Sequence, residues 1–294
     1  MSFVEKRKKR FGDRNDGHRV KKAPAVNRIM VNLYPNRCDN EVSSTMDLDI
    51  TNLMNYIKMR KEQDPNCKIT FFHCFIAAIV RVLNEKRLLL RFVQNRRLYE
   101  RDEIRISFTA KRAFKEKAEE SIVTYVAKKD DNVDSVTNCV IGRLNYVRDE
   151  KNMEQEKENS VGTLESLQRF PDFMLRMLGW FLRKFDKHGW ITKDMMREDP
   201  SFTTAMLANL GSIGLKSVYH HLNNYGSCSM MITIGKIHEE EVKLEDGNTT
   251  KKSFVDVTAI FDERIADGFY FLNAMKLMQQ YLEHPEVLEK PFGE

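Results

Sequence analysis

The sequence predicts an α/β domain, and three stretches carry that expectation. In Ser253 to Pro285 a β-rich alternation of Val255, Val257, Ala259 and Phe261 leads through Asp267-Gly268 into a helical run that is apolar nearly all round. Phe71 to Glu85 places Phe72, Phe75, Ile76, Ile79, Val80 and Leu83 on one wide helical face. Phe202 to Leu210 and Ser229 to Ile237 read as strands, the first closed by the turn Gly211-Ser212-Ile213-Gly214.

Taken in order, Met1 to Lys22 is charged and reads as a mobile or draped basic tail, residues 1–22, before a single domain over residues 23–294. Its cluster Lys6 to Arg10 is read as a solvated tail in preference to an anion-binding arm. Arg28 to Asp39 is a mixed apolar segment broken by Pro35. Glu41 to Ile50 alternates as a strand, Asn52 to Gln63 is helical, and Thr70 offers a cap to the helix at Phe71. Leu88 to Val93 and Arg97 to Arg101 flank Asn95-Arg96 as a hairpin. Ile104 to Ala110 and Ser121 to Ala127 are two more strands joined by a charged loop, and Val133 to Asn159 is a long polar helix. Pro171 suits the first turn of a helix to Trp190 that carries Arg176, Arg183 and Lys187 on one side and aromatic and aliphatic residues over most of the rest. Burial in the core or at a subunit contact is the favoured reading of that helix. A membrane-surface or partner-binding helix and an aromatic wall for a substrate are the alternatives. A charged hairpin loop centred on Asp246-Gly247 precedes the final strand, and Pro285 stops the final helix.

The chain has 294 residues, 41% hydrophobic and 31% charged, enough for a sizeable core. A formal net charge of +5, from 48 basic and 43 acidic residues, does not argue for a nucleic-acid partner. The five scattered cysteines form no CxxC, so reduced thiols and a cytoplasmic location are expected, with no metal site. Cys67, His73 and Cys74 lack an evident fourth ligand. No run approaches the ~20 apolar residues of a membrane span.

The pleat of the last strand, continued, puts Glu263 among its apolar residues. Asp262-Glu263-Arg264-Ile265-Ala266-Asp267-Gly268 resembles the DHRxxDG motif of the acyltransferase catalytic domains of 2-oxo acid dehydrogenase complexes and of chloramphenicol acetyltransferases. In that motif the histidine is the general base. Here Glu263 stands at its position, while Arg264, Asp267 and Gly268 match. Phe202 to Leu215 (FTTAMLANLGSIGL) resembles the family's FTISNLGxxG segment, with Gly211 in the turn, and Cys228 to Ile237 resembles the strand after it. Thr70 to Leu83 and Arg96 to Arg112 resemble a packed helix and a hairpin of the same family, in the family's order.

The resemblance implies a chloramphenicol-acetyltransferase-like two-layer domain, a mixed β-sheet with packed helices, assembling as a homotrimer. It implies coenzyme A or acyl-CoA as cofactor. A free-standing protein without its own lipoyl module is expected. It places Ala208 where the family has a Ser or Thr hydroxyl for the oxyanion of the tetrahedral intermediate, beside Asn209. Losing one such donor costs ~100- to 1,000-fold in turnover, and general-base catalysis is worth ~100- to 10,000-fold. Two readings follow. The first is a pseudoenzyme or repurposed domain. The second is an active acyltransferase or thioesterase using Glu263 as base, with Asn209, Thr204 or backbone amides as oxyanion donors. In the motif Asp267 is structural and pairs with a basic residue, for which Arg28 and Arg37 are candidates, and Gly268 lets the helix start pack closely. His220-His221 reads as part of an ordinary polar loop, and Cys228 as a core thiol.

Overall fold

The computed structural model of the chain describes residues 4, 7–111, 120–148, 170–243 and 247–294. The charged loop after residue 111, the helical extension beyond residue 148 with its charged block to Asn159, the tail residue Lys6 and the hairpin-loop residue Asp246 lie outside them. The elements are β1 (Gly17–Arg19), α1 (Ala25–Leu33), β2 (Glu41–Asp49), α2 (Thr51–Gln63), α3 (Phe71–Glu85), β3 (Arg91–Gln94), β4 (Arg97–Arg101), β5 (Arg105–Lys111), β6 (Glu120–Val126), α4 (Val133–Arg148), α5 (Asp172–His188), α6 (Lys193–Glu198), β7 (Ala205–Asn209), β8 (Met230–Lys243), β9 (Thr249–Asp262) and α7 (Gly268–Glu283).

A six-stranded mixed sheet runs β2-β9-β8-β7-β5-β6, and a three-stranded sheet runs β1-β4-β3. The pairs β5–β7 and β7–β8 are parallel and the rest are antiparallel. One face of the large sheet is covered by α3 and α7, and their apolar residues merge with Val255, Val257 and Phe261 into one core. From His73 to Leu83 every residue of α3 is buried, because this helix is packed on all sides. Thr70 precedes α3 without a side-chain capping bond, so the expected cap is absent. The β3–β4 hairpin forms as expected: Asn95 and Arg96 take φ of 50° and 55°, the left-handed pair that a two-residue turn demands.

Three expectations are corrected. The segment 13–19 is docked on the body. Arg14 is buried, bonds Asp16 and Asp186 at 2.9 Å each, and leads into β1 against β4. Arg28 to Leu33, left without a regular element by the sequence, lies in α1. Pro171 to Trp190 does form a helix, α5, but most of its apolar side chains are exposed among the described residues of the single chain, which overturns burial in the chain's own core and not a subunit contact. Among the described residues no element packs along the apolar side chains, and the helix is fixed at its C-terminal end through Asp186.

Between β7 and β8 the backbones approach closely. A Cβ at Gly211 would lie 2.3 Å from the Gly235 carbonyl oxygen, so the turn after β7 requires glycine.

Candidate functional site

The turn after β9 is built around a buried ion pair. Asp262, the last residue of the strand, and Arg264 are both fully buried. Arg264 donates from Nε to Asp262 Oδ1 at 2.7 Å and from Nη2 to Oδ2 at 2.6 Å. Its Nη1 reaches the carbonyls of Tyr34 and Pro35 at 2.9 and 3.0 Å. Arg37 adds a second cation, its Nε 3.7 Å from Asp262 Oδ2, and burial pushes its guanidinium below the ordinary range while Asp262 opposes that shift. Every charge in this cluster has a partner, which is what burial of ions requires.

Two expectations about the turn change. Glu263 does not continue the pleat. The chain turns at Asp262, where Ile265 N donates to Asp262 O at 3.2 Å, and Glu263 sits in the turn, half-buried. Its amide donates to Asn40 O at 3.0 Å, while its carboxylate makes no hydrogen bond or ion pair with a described residue. The basic partner expected of Asp267 belongs to Asp262 instead. Asp267 is exposed and caps α7 by accepting from Tyr270 N at 2.8 Å. The fully buried carboxylate needs the cations, whereas the exposed one takes the free amide of a helix start. Gly268 has open space where a side chain would stand, so no close packing requires a glycine there.

Ala208 and Asn209 lie elsewhere, on the wall of a cleft of about 580 Å³. Register places Ala208 beside Thr233 and Thr233 beside Thr258, with Asp262, the end of β9, four residues further along and Glu263 in the turn beyond it. At ~3.3 Å per residue, that is roughly 13 Å along the strand plus two strand spacings across it. Ala208 and Glu263 of one chain therefore do not meet. Asn209 Oδ1 accepts from Ser212 N at 3.3 Å, which leaves its amide NH2 as a donor beside Ala208. Thr204, the other donor considered, is buried at the start of β7 with its hydroxyl accepting from Arg105 N at 3.0 Å, and it does not line the cleft.

The cleft also holds residues read from the sequence as ordinary. His220 and His221 line it, their rings stacked at 4.9 Å. His220 Nδ1 lies 2.8 Å from the His221 amide nitrogen. Their loop is stapled across the sheet by hydroxyls. Thr233 Oγ1 donates to Val218 O at 2.6 Å and accepts from Val218 N at 3.1 Å, and Ser217 and Thr258 share a hydroxyl contact of 2.8 Å. Ser217 N donates to Asp256, and although burial opposes ionisation, the Ser217 bonds hold that carboxyl below its ordinary range. At its far end the loop is tied to the Glu263 turn. Arg37 donates to Asn223 O and to Gly226 O, Asn224 Oδ1 accepts from Arg37 N at 2.6 Å, and Arg37 also faces Asp262. Cys228 is on the cleft wall too. Burial pushes its thiol up, against a smaller opposing effect of Arg101, and Sγ donates to Met230 O at 3.2 Å. The sequence signal for the histidine loop was Thr233 on β8 and Asp256 and Thr258 on β9, polar residues within apolar strands, which can hold a loop only when their register is known.

The comparisons with known proteins agree with this geometry. Residues 192–289 match the family model described as 2-oxoacid dehydrogenases acyltransferase (catalytic domain), the part that carries β7, the His220 loop, β8, β9 and α7. No curated protein matches the chain. Among solved structures, a probable dihydrolipoamide acetyltransferase from Listeria monocytogenes aligns over 90% of this chain and 95% of its own, with TM-score 0.58 and 13% identity. An Azotobacter vinelandii dihydrolipoamide acetyltransferase, studied for the role of a serine, a histidine and an asparagine in its catalytic mechanism, aligns over 92% of this chain and 94% of its own at TM-score 0.52 and 13% identity. A chloramphenicol acetyltransferase aligns over 91% and 98%, with TM-score 0.51 and 12% identity. The fold is the chloramphenicol-acetyltransferase-like one.

Proposed function

We propose that the chain is an acyltransferase-fold protein that binds an acyl carrier such as acyl-coenzyme A in the cleft beside Ala208, and that it is a pseudoenzyme, or a diverged acyltransferase, for the family's exchange reaction. The supporting observation is the cleft itself. It has a volume of about 580 Å³, and its wall carries the Ala208 methyl where the resemblance expects a hydroxyl. The turn where the family has its base carries Glu263. Three chains assemble, and Glu263 of one protomer faces Ala208 and Asn209 of the next. The separation of these residues within a chain supports that arrangement. In the Azotobacter protein the named histidine and asparagine are four positions apart, and Glu263 and Asp267 repeat that spacing.

A second reading has its own support: the Glu263 carboxylate has no hydrogen bond or ion pair among the described residues, on a turn held by Arg264. Preorganised turns of this kind suit functional groups. On this reading Glu263 takes the proton of an acceptor thiol. The thiolate attacks the thioester carbonyl, and the Asn209 amide donates to the oxyanion. The intermediate then collapses with loss of the coenzyme A thiolate, which recovers the proton from Glu263.

One assay separates the readings: acetyl transfer from acetyl-coenzyme A to dihydrolipoamide, with acetyl-coenzyme A binding measured in parallel. Binding without turnover supports the first. Turnover that falls ~100- to 10,000-fold in Glu263→Gln supports the second. Absence of binding rejects both.

A further inference from the structure

The helix α5 does not line the cleft, and it exposes many large apolar side chains. Phe173 is 67% and Trp180 55% exposed, and Met177, Phe181 and Phe185 are exposed with them. Among the described residues no element packs along it. A contiguous apolar surface of this kind marks an interaction site.

The arrangement around the helix axis identifies what it meets. At about 100° per residue, Phe173 and Trp180 mark one border of the apolar arc and Leu175 the other, about 220° apart through Phe181 and Phe185. Arg176, Arg183 and Lys187 fall within about 40° of one another in the remaining sector. Asp186 lies in that sector too, and it fixes the helix to the body. It is buried, accepts from Arg14 Nη2 and from Gly226 N at 2.9 Å each, and accepts from Gln94. The apolar arc therefore points away from the body. Lys184 and His188 are the exceptions inside the arc: the Lys184 ammonium lies 4.7 Å from the Trp180 ring centroid, and the His188 ring stacks on Trp190. Trp180 thus sits at the border of the apolar and basic sectors, where amphipathic rings sit at a membrane–water boundary.

We propose that α5 is an interfacial helix that docks the protein on an anionic lipid surface. An apolar arc of this width exceeds the ~100° stripe that packs on another element of a globular protein, so a second helix would leave Phe173 and Trp180 or Leu175 in water. Lipid acyl chains surround the whole arc, and the three basic side chains at its edge meet anionic headgroups. The helix lies on the surface: its 17 residues fall short of a span, and no described helix is long and apolar enough to cross a membrane. This proposal is independent of the chemistry of the cleft.

The chain has two tryptophans, Trp180 and Trp190, and both lie in this segment, so intrinsic emission reports on it alone. The full chain is mixed with phosphatidylcholine vesicles, with and without phosphatidylserine, and binding is read by flotation and by tryptophan emission. Binding to the anionic vesicles with a blue shift is expected. A loss of about 10- to 100-fold in affinity is expected on Arg176→Glu with Arg183→Glu, and again on Phe173→Ser with Phe181→Ser. These positions are exposed, and circular dichroism confirms that the variants fold. No binding to anionic vesicles, or equal binding by the variants, overturns the proposal. So does a change in molecular mass in the Phe173→Ser, Phe181→Ser variant without wild-type vesicle binding, which assigns the face to a second copy.

Discussion

Arg264 and Glu263 are adjacent and have opposite fates. Arg264 is fully buried and makes five hydrogen bonds to Asp262, Tyr34 and Pro35, through its amide and guanidinium. Glu263 is half-buried, and its carboxylate has no hydrogen bond or ion pair among the described residues. Arg264→Met removes the main partner of a buried carboxylate, and breaking a buried pair in this way costs about 3–5 kcal/mol, to be read as a lower urea midpoint. Glu263→Gln leaves that network in place, so its stability should stay within about 0.5 kcal/mol of wild type. On the proposed reading, Glu263 and Ala208 stand where the family's base and oxyanion hydroxyl are expected. The variant carrying Glu263→His with Ala208→Ser should therefore gain acetyl transfer over wild type, by more than either single change, because base and oxyanion donor act on the same transition state. Equal rates in all four proteins would show that the missing side chains are not what limits turnover. The DERIADG run was legible from the sequence, and so was the match of Arg264. The placement of Glu263 was not, because the turn at Asp262 is set by Tyr34, Pro35 and Arg37, more than two hundred residues away in the chain.

Elements were legible where periodicity alone decides them. Alternation put Val255, Val257 and Phe261 in the main core as expected, although β9 is buried on both faces from Val255 to Asp262, and the hairpin followed from Asn95-Arg96. Helix α5 shows where this stops: periodicity says which residues are apolar and is silent on what covers them. The His220 loop shows a second limit. It is held by Thr233, Thr258 and Asp256, whose register with it exists only once the sheet forms. Helix α3 carries a consequence for pH. Burial lowers the His73 imidazole to about 4, partly offset by a bond to the Lys68 backbone. The unfolded chain then binds more protons than the folded one between pH ~6.5 and about 4, so the contribution is complete above ~6.5 and is lost as pH falls through that window. Stability should drop by roughly 2–3 kcal/mol across it, and His73→Gln should flatten that part of the curve. A drop of the same size in the variant would assign the proton uptake to other groups.

For the whole molecule, the proposed function makes assembly the condition for a complete site, because Glu263 and Ala208 are separated within a chain. On that proposal a trimer of 34.5 kDa chains is the expected species in sedimentation equilibrium, and a strict monomer at micromolar concentration would remove the facing of Glu263 and Asn209. Within the chain Arg37 ties the Glu263 turn and the His220 loop to one another. In the proposed trimer, a ligand that orders the loop in one cleft would act on the turn presented to the next.

The central claim is that the cleft beside Ala208 holds an acyl carrier. Calorimetric titration of acetyl-coenzyme A into the full chain and into Ala208→Phe tests it most directly. Ala208 is half-buried on the cleft wall, so a phenyl ring there fills the space without entering the core. The account predicts one ligand per chain in the wild type and an affinity at least about tenfold weaker in the variant, a loss of ~1.4 kcal/mol. No heat of binding in the wild type, or equal affinity in the two proteins, would contradict it.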